Sequence, residues 1–231
     1  TRFGAIMNAS NATRQKLVIA VDGPSGSGKS SISREAARRL GFNFLDTGAM
    51  YRMITYYLSS NGIENESEIE KAISTKEIDF GVSINPDEVQ FKLNGEDVSK
   101  IIRTEFISKK VSYYASLRQV RNFLVGKQRK LINESSKSIV IEGRDIGSVV
   151  IPDADLKIYV TASEEIRALR RSKELNSSID QVLIDQKIRD EKDSKREISP
   201  LIKPGDSIEL DTSSLTFEES VTSFIGLVQN V

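Results

Sequence analysis

The chain of 231 residues carries 33 Lys and Arg against 33 Asp and Glu, a zero balance that argues against a surface built to coat nucleic acid. It has no cysteine and no histidine, which excludes disulfides, thiolate chemistry, cysteine-ligated zinc and every scheme that needs a histidine base. No apolar run approaches the ~20 residues of a membrane span, so a soluble protein is expected. The lack of cysteine suits a reducing cytoplasm, the expected location, and the length allows one large core or one domain with insertions.

Residues 1–16 show neither apolar periodicity nor the apolar stretch of a signal peptide. Ser10-Asn11-Ala12 looks like the scar of a cleaved expression tag, so this segment is expected to be disordered or tag-derived. The folded domain is expected over 17–231. It opens with Leu17–Val21, a β-branched run that predicts a buried strand. Gly23-Pro24-Ser25-Gly26-Ser27-Gly28-Lys29-Ser30 then fits G-x-x-x-x-G-K-[ST]. Ser30–Leu40 follows as a helix, with Ile32, Ala36, Ala37 and Leu40 on one face and Gly41 as its stop. A strand, a glycine turn and a helix N-terminus aim several backbone N–H groups at one point, where a phosphate can sit without Cβ clashes. Lys29 would reach the β- and γ-phosphates of a nucleotide and the Ser30 hydroxyl a Mg²⁺ ion.

Four more apolar runs, Phe42–Leu45, Ile139–Ile141, Leu156–Val160 and Ile208–Leu210, read as strands. Several are separated by helical stretches long enough for crossovers, which predicts an α/β fold with a parallel sheet and helices on both faces. Ala49–Leu58 reads as a helix with Met50, Ile54, Tyr57 and Leu58 as its stripe. Ile78–Val98 alternates through Phe80, Val82 and Ile84, then Val89, Phe91 and Leu93, with turns at Asn85-Pro86-Asp87 and Asn94-Gly95. That pattern predicts a small antiparallel β unit, followed by a helix from about Thr104 to Ile132, the two forming an insertion that closes over the substrate. Ser172–Arg196 is almost wholly polar. It reads either as a solvated helical hairpin or as a mobile lid; its departure after the fourth strand, at the edge where ligands bind, favours the lid. Thr216-x-x-Glu219 announces the last helix with a capping box.

Three clusters supply the fixed charges that phosphoryl transfer needs. In Asp46-Thr47-Gly48-Ala49-Met50-Tyr51-Arg52, Thr47 is expected to cap a helix N-terminus and Arg52 to face the same crevice. In Ile139–Asp145, Glu142 falls at a strand tip beside the glycine loop, where a carboxylate can hold the water shell of magnesium, and Arg144 and Asp145 point into the cleft. Arg167, Arg170 and Arg171 fall at i, i+3 and i+4, and Arg189, Asp193 and Arg196 recur at similar spacing. Like charges so placed repel by a few tenths of a kcal/mol per pair, a cost that an anion between them removes. No general base is needed when the acceptor is itself a phosphate. The missing histidine therefore favours a nucleotide acceptor, although Asp or Glu could serve a hydroxyl acceptor. UMP or a metabolite hydroxyl remains an alternative acceptor. A GTP-dependent switch is a further alternative, but N-K-x-D and D-x-x-G are both missing from the chain.

From Leu17 to Val231 the chain resembles the bacterial cytidylate (CMP) kinases, a family of P-loop nucleoside monophosphate kinases. The motifs that carry the resemblance are Asp22–Ser31, Leu45–Arg52, Gly95-Glu96-Asp97-Val98-Ser99 with Ile102-Arg103-Thr104, Glu142–Ala154 and Ile188–Asp193. It implies a P-loop kinase fold with a five-stranded parallel sheet in the order 2-3-1-4-5, flanked by helices. It also implies a monophosphate-binding insertion over 61–121 and a lid over 172–196. The implied activity is Mg²⁺-dependent transfer of a phosphoryl group from ATP to CMP or dCMP, in line, giving CDP or dCDP. The expected state is a monomer with neither nucleic acid nor membrane as partner. ATP would lie on Gly23, Pro24, Ser25, Gly26, Ser27, Gly28, Lys29, Ser30 and Ser31. Ser112, Arg121 and Asp145 would read the cytosine edge, Arg189 and Asp193 would hold the ribose, and Thr47, Arg52 and Arg144 would hold the acceptor phosphate. Arg170, Arg171 and Arg196 look like lid arginines that join Lys29, Arg144 and Arg189 around the transferred group. The family often has glycine where this chain has Ser30, so either Ser30 or Ser31 could be the hydroxyl beside magnesium, with Glu142 reached through water. Thr47 stands where serine is common.

Overall fold

A computed structural model describes residues 16–75 and 78–231; residues 1–15, most of the segment read as tag-derived, lie outside the described residues. Five strands form the parallel core sheet: β1 (Val18–Asp22), β2 (Asn43–Asp46), β6 (Ile139–Glu142), β7 (Leu156–Thr161) and β8 (Ile208–Asp211). Their spatial order is β2-β6-β1-β7-β8, the 2-3-1-4-5 arrangement that the resemblance implies. β1 is central and pairs in parallel with β6 on one side and β7 on the other. Both faces of β1, β6 and β7 are covered, which is why these strands read as continuous apolar runs, whereas β8 at the edge buries only Leu210. Ile19, Val21, Val140, Ile158 and Leu210 pack with α1 (Lys29–Leu40) and α8 (Phe217–Gln229). Ala20, Leu45, Ile139 and Ile141 pack on the other face, with α2 (Thr47–Ser60) and α5 (Arg118–Glu134). The capping box at Thr216 and Glu219 forms as expected. Among the described residues no helix is long and apolar enough to cross a membrane.

The insertion differs from expectation in two ways. Its β unit, β3 (Phe80–Val82), β4 (Phe91–Leu93) and β5 (Glu96–Asp97), is antiparallel as read, with Asn94 and Gly95 both at positive φ in the second turn. It does not close over the cleft. Ile84 accepts a hydrogen bond from the Phe44 N–H at 2.8 Å and Pro86 one from Arg34 Nε at 2.8 Å, so the unit covers the open edge at β2 instead. The single helix expected over 104–132 is two helices, α4 (Glu105–Ser116) and α5, joined at Leu117 in an extended conformation. No glycine or proline marks this break. Leu117 is itself buried in the core, and the turn lets Val111 and Tyr114 of α4 and Val120 and Leu124 of α5 bury in that one core. Arg121 donates to the Ala115 carbonyl at 2.8 Å, which satisfies an oxygen freed by the break. A further helix, α3 (Glu66–Thr75), precedes the β unit, and the polar segment after β7 is the hairpin of α6 (Glu164–Leu175) and α7 (Ile179–Lys195).

Candidate active site

The glycine loop joins β1 to α1 and rises at the carboxyl edge of the central strand, where open α/β sheets bind ligands. Gly23 has φ 151°, and a Cβ there would lie 2.0 Å from the Val160 carbonyl oxygen, so only glycine fits. Gly28 takes φ 82° as the N-cap of α1, which leaves the first N–H groups of the helix facing the cleft. A cavity of about 340 Å³ opens in front of them. Ser25, Gly26, Gly28, Lys29, Ser30 and Ser31 line it, whereas Gly23, Pro24 and Ser27 are not part of the lining.

Lys29 is 5% exposed, and its ammonium lies 3.9 Å from Glu142 Oε2. Burial, with Arg144 nearby, pulls its pKa down to about 7. Glu142 is pushed up by burial and by the neighbouring Asp46, and it accepts a hydrogen bond from Ser30 Oγ at 2.7 Å. A hydroxyl and a buried carboxylate thus meet beside the loop, with Asp46 next to Glu142 in the sheet register. This is an oxygen donor set of the kind magnesium takes when it keeps several waters and phosphate oxygens. Among the described residues no group of three acidic side chains forms a self-sufficient metal site.

Beside the loop the N-cap of α2 is Asp46, whose carboxylate accepts from the Ala49 N–H at 2.9 Å, and not Thr47 as the sequence predicts. Thr47 is the first helical residue. It is buried, and its hydroxyl donates to the Glu142 carbonyl at 2.8 Å. An aspartate and a threonine in succession are both competent caps, and only the backbone turn decides between them. Arg52 lines the cavity while donating to the Ile102 carbonyl and to Ser108 Oγ, which ties α2 to the insertion. At the inner end Arg121 and Asp145 form an ion pair at 2.6 Å, each 3% exposed at the side chain. Ser112 lines the cavity with them, and the Tyr51 ring lies 5.1 Å from the Arg121 guanidinium.

From the hairpin, Asp193 receives Arg144 at 3.1 Å and Arg196 at 3.8 Å. Arg189 is half-buried with no ion pair among the described residues, and desolvation together with Arg144 brings its pKa down to about 10, still charged at neutral pH. Arg171 pairs with Glu174, and Arg170 donates to the Thr212 carbonyl at 2.7 Å; both line the cavity. Arg167 does not, although it shares their helix face. It is 5% exposed, pairs with Asp190 at 2.5 Å and donates to the Ser25 carbonyl at 2.9 Å, so it braces the glycine loop and its charge is already neutralised. Four lining residues with polar side chains escaped assignment from the sequence: Asp46, Tyr51, Arg103 and Glu174. Arg103, 3.7 Å from Asp46 across the cleft mouth, stands in a quoted motif whose arginine could have been singled out.

The structure is similar in fold to a protein of Eubacterium ventriosum, at a TM-score of 0.53 and 12% identity over 94% of this chain and all of that one. It is likewise similar to a gluconokinase from Sinorhizobium meliloti, at 0.50 and 15% identity over 93% and 92% of the two chains. In sequence, a cytidylate kinase of Thermosipho africanus is 44% identical over 91% of this chain and 93% of its own length. One of Streptomyces avermitilis is 42% identical over 96% of both. The family model described as cytidylate kinase matches residues 19–230, and the chain belongs to the cytidylate kinase family.

Proposed function

We propose that the protein transfers the γ-phosphoryl group of ATP to the phosphate of CMP or dCMP, giving CDP or dCDP and ADP. The observation that carries this reading is the buried Arg121–Asp145 pair at the inner end of a cleft whose outer part is ringed by arginines and the glycine loop. A charged donor and a charged acceptor, side by side and dry, suit the cytosine edge, which presents an amino donor next to a ring-nitrogen acceptor. Uracil reverses that order and leaves both charges facing the wrong partner, at ~1–3 kcal/mol or more for each unsatisfied group.

In the reaction the acceptor phosphate is the nucleophile and no proton need be removed. Positioning and charge neutralisation do the work. Arg52 and Arg144 hold the acceptor phosphate, with the Thr47 hydroxyl behind them fixing the backbone of Glu142. Arg189 and Asp193 hold the ribose. Lys29 and the loop amides hold the β- and γ-phosphates, and Arg170, Arg171 and Arg196 complete the positive wall as the hairpin closes. The bond between Ser30 and Glu142 supports Ser30 over Ser31 as the hydroxyl that would lie beside Mg²⁺, with Glu142 acting through its water shell. The bound ion neutralises phosphate charge. The ATP and CMP substrates argue for the cytoplasm.

A coupled ADP-release assay with CMP, dCMP, UMP, AMP and GMP tests the reading. CMP or dCMP is expected to exceed UMP at least about tenfold in kcat/KM. Equal use of UMP, or a preference for a purine, overturns it.

A further inference from the structure

Asp22 ends β1 and immediately precedes the glycine loop, yet its side chain points away from that loop's business. The residue is 3% exposed. One carboxylate oxygen accepts the Ile146 N–H at 2.8 Å and the other accepts the Gly147 N–H at 2.8 Å. These residues directly follow Arg144-Asp145 and open a single π-helical turn, Ile146–Val150, whose leading N–H groups have no partner within the turn. The fit is close: a Cβ on Gly147 would lie 3.3 Å from Asp22 Oδ2 and 3.1 Å from the Lys157 side chain. Burial pushes the Asp22 carboxyl up to about 6, so at neutral pH it is ionised and accepts at both oxygens.

Asp145 has two restraints, the Arg121 guanidinium and its own backbone. When a base enters, Arg121 must share its donors with it, and the backbone becomes the restraint that keeps the Asp145 carboxylate in register. That backbone is fixed to the central strand of the sheet through Asp22. We infer that Asp22 is a positioning residue for base selection, holding Asp145 in place through the Ile146 and Gly147 amides without touching either nucleotide. The inference rests on the reading that Asp145 accepts from the cytosine amino group. A displacement of ~1 Å in such a group can cost about a hundredfold in rate.

Steady-state kinetics with CMP and UMP on the parent, Asp22→Asn, Asp145→Ala and the double variant provide the test. Asn keeps the shape but turns an NH₂ against one of the two amides. For Asp22→Asn the CMP KM is expected to rise about tenfold, UMP to suffer less, and the CMP-to-UMP ratio of kcat/KM to narrow at least about threefold. The ATP KM should stay within about twofold, although Asp22 adjoins the ATP loop. Added to Asp145→Ala, the Asp22 change should narrow the ratio no further. A parental ratio in Asp145→Ala removes the base assignment itself. A narrowed ratio there, with a parental ratio or equally raised CMP and ATP KM values in Asp22→Asn, overturns the role of Asp22 alone. In the parent protein, free of ligand, the Ile146 and Gly147 amides should exchange as slowly as those of β6; exchange as fast as in exposed loops overturns the inference whether or not the variants fold.

Discussion

Lys29 is a charge held where water hardly reaches it, and that sets how it responds to a ligand. Burial lowers its pKa to about 7 in the free protein. A nucleotide polyphosphate beside it favours the ammonium, so the bound pKa rises, and Glu142 is moved the same way by the added negative charge. At pH 8 the free lysine is mostly neutral and the bound one charged, so metal-free binding of a nonhydrolysable ATP analogue should take up close to one proton and weaken as the pH rises further. Calorimetry at pH 8 in buffers of different ionisation enthalpy measures this; a binding enthalpy independent of buffer refutes it. Lys29→Ala should abolish the uptake and lower turnover by roughly a hundredfold or more, the ~3–4 kcal/mol typical of a charged contact made in the transition state. The identity of Lys29 was legible because eight consecutive positions carry the motif. Which arginines face the cleft was less so. Spacing put Arg167, Arg170 and Arg171 on one face but could not show that Asp190, on another helix, neutralises the first of them.

At the level of elements, legibility followed burial. Strands covered on both faces stood out as unbroken apolar runs, and the last helix carried its own cap. The short helix α3 buries only Ile69 and Ala72, too little to make a stripe. The break at Leu117 and the docking of the β unit on β2 depend on contacts between distant residues, such as Phe44 with Ile84, which spacing along the chain does not encode. The same reasoning bears on α7. It buries only Val182 and Gln186 and leaves Ile179, Ile184 and Ile188 exposed. What holds it over the cleft is chiefly polar: Asp190 to Arg167, and Asp193 to Arg144. So little apolar burial opposes opening weakly, and bound phosphates add partners for Arg189 and Arg196. Hydrogen exchange over Ser172–Arg196 should be fast in the free protein and slow with CMP plus an ATP analogue. Equal protection in the two states would mean that the hairpin is a fixed part of the wall.

The whole molecule is a cleft with a rigid floor and two walls of different origin. The floor is the parallel sheet and the glycine loop. One wall is the α4–α5 pair, whose break brings Arg121 to Asp145, and the other is the α6–α7 hairpin, whose Asp193 reaches across to Arg144. Because a ligand in the cleft touches floor and walls together, its binding energy should appear as stability of the entire fold. A ligand that binds only the native state at 100 times its Kd adds about 2.7 kcal/mol. For a domain of this size each kcal/mol raises Tm by about 2–4 °C, so CMP should raise it by about 5–10 °C. UMP bound tenfold more weakly, at the same concentration, adds only about 1.4 kcal/mol by the same relation, or about 3–6 °C. Thermal unfolding with matched concentrations of CMP and UMP therefore reports base selection without any turnover. Equal shifts would show that the Arg121–Asp145 end of the cleft does not distinguish the bases, whatever the phosphates contribute at the other end.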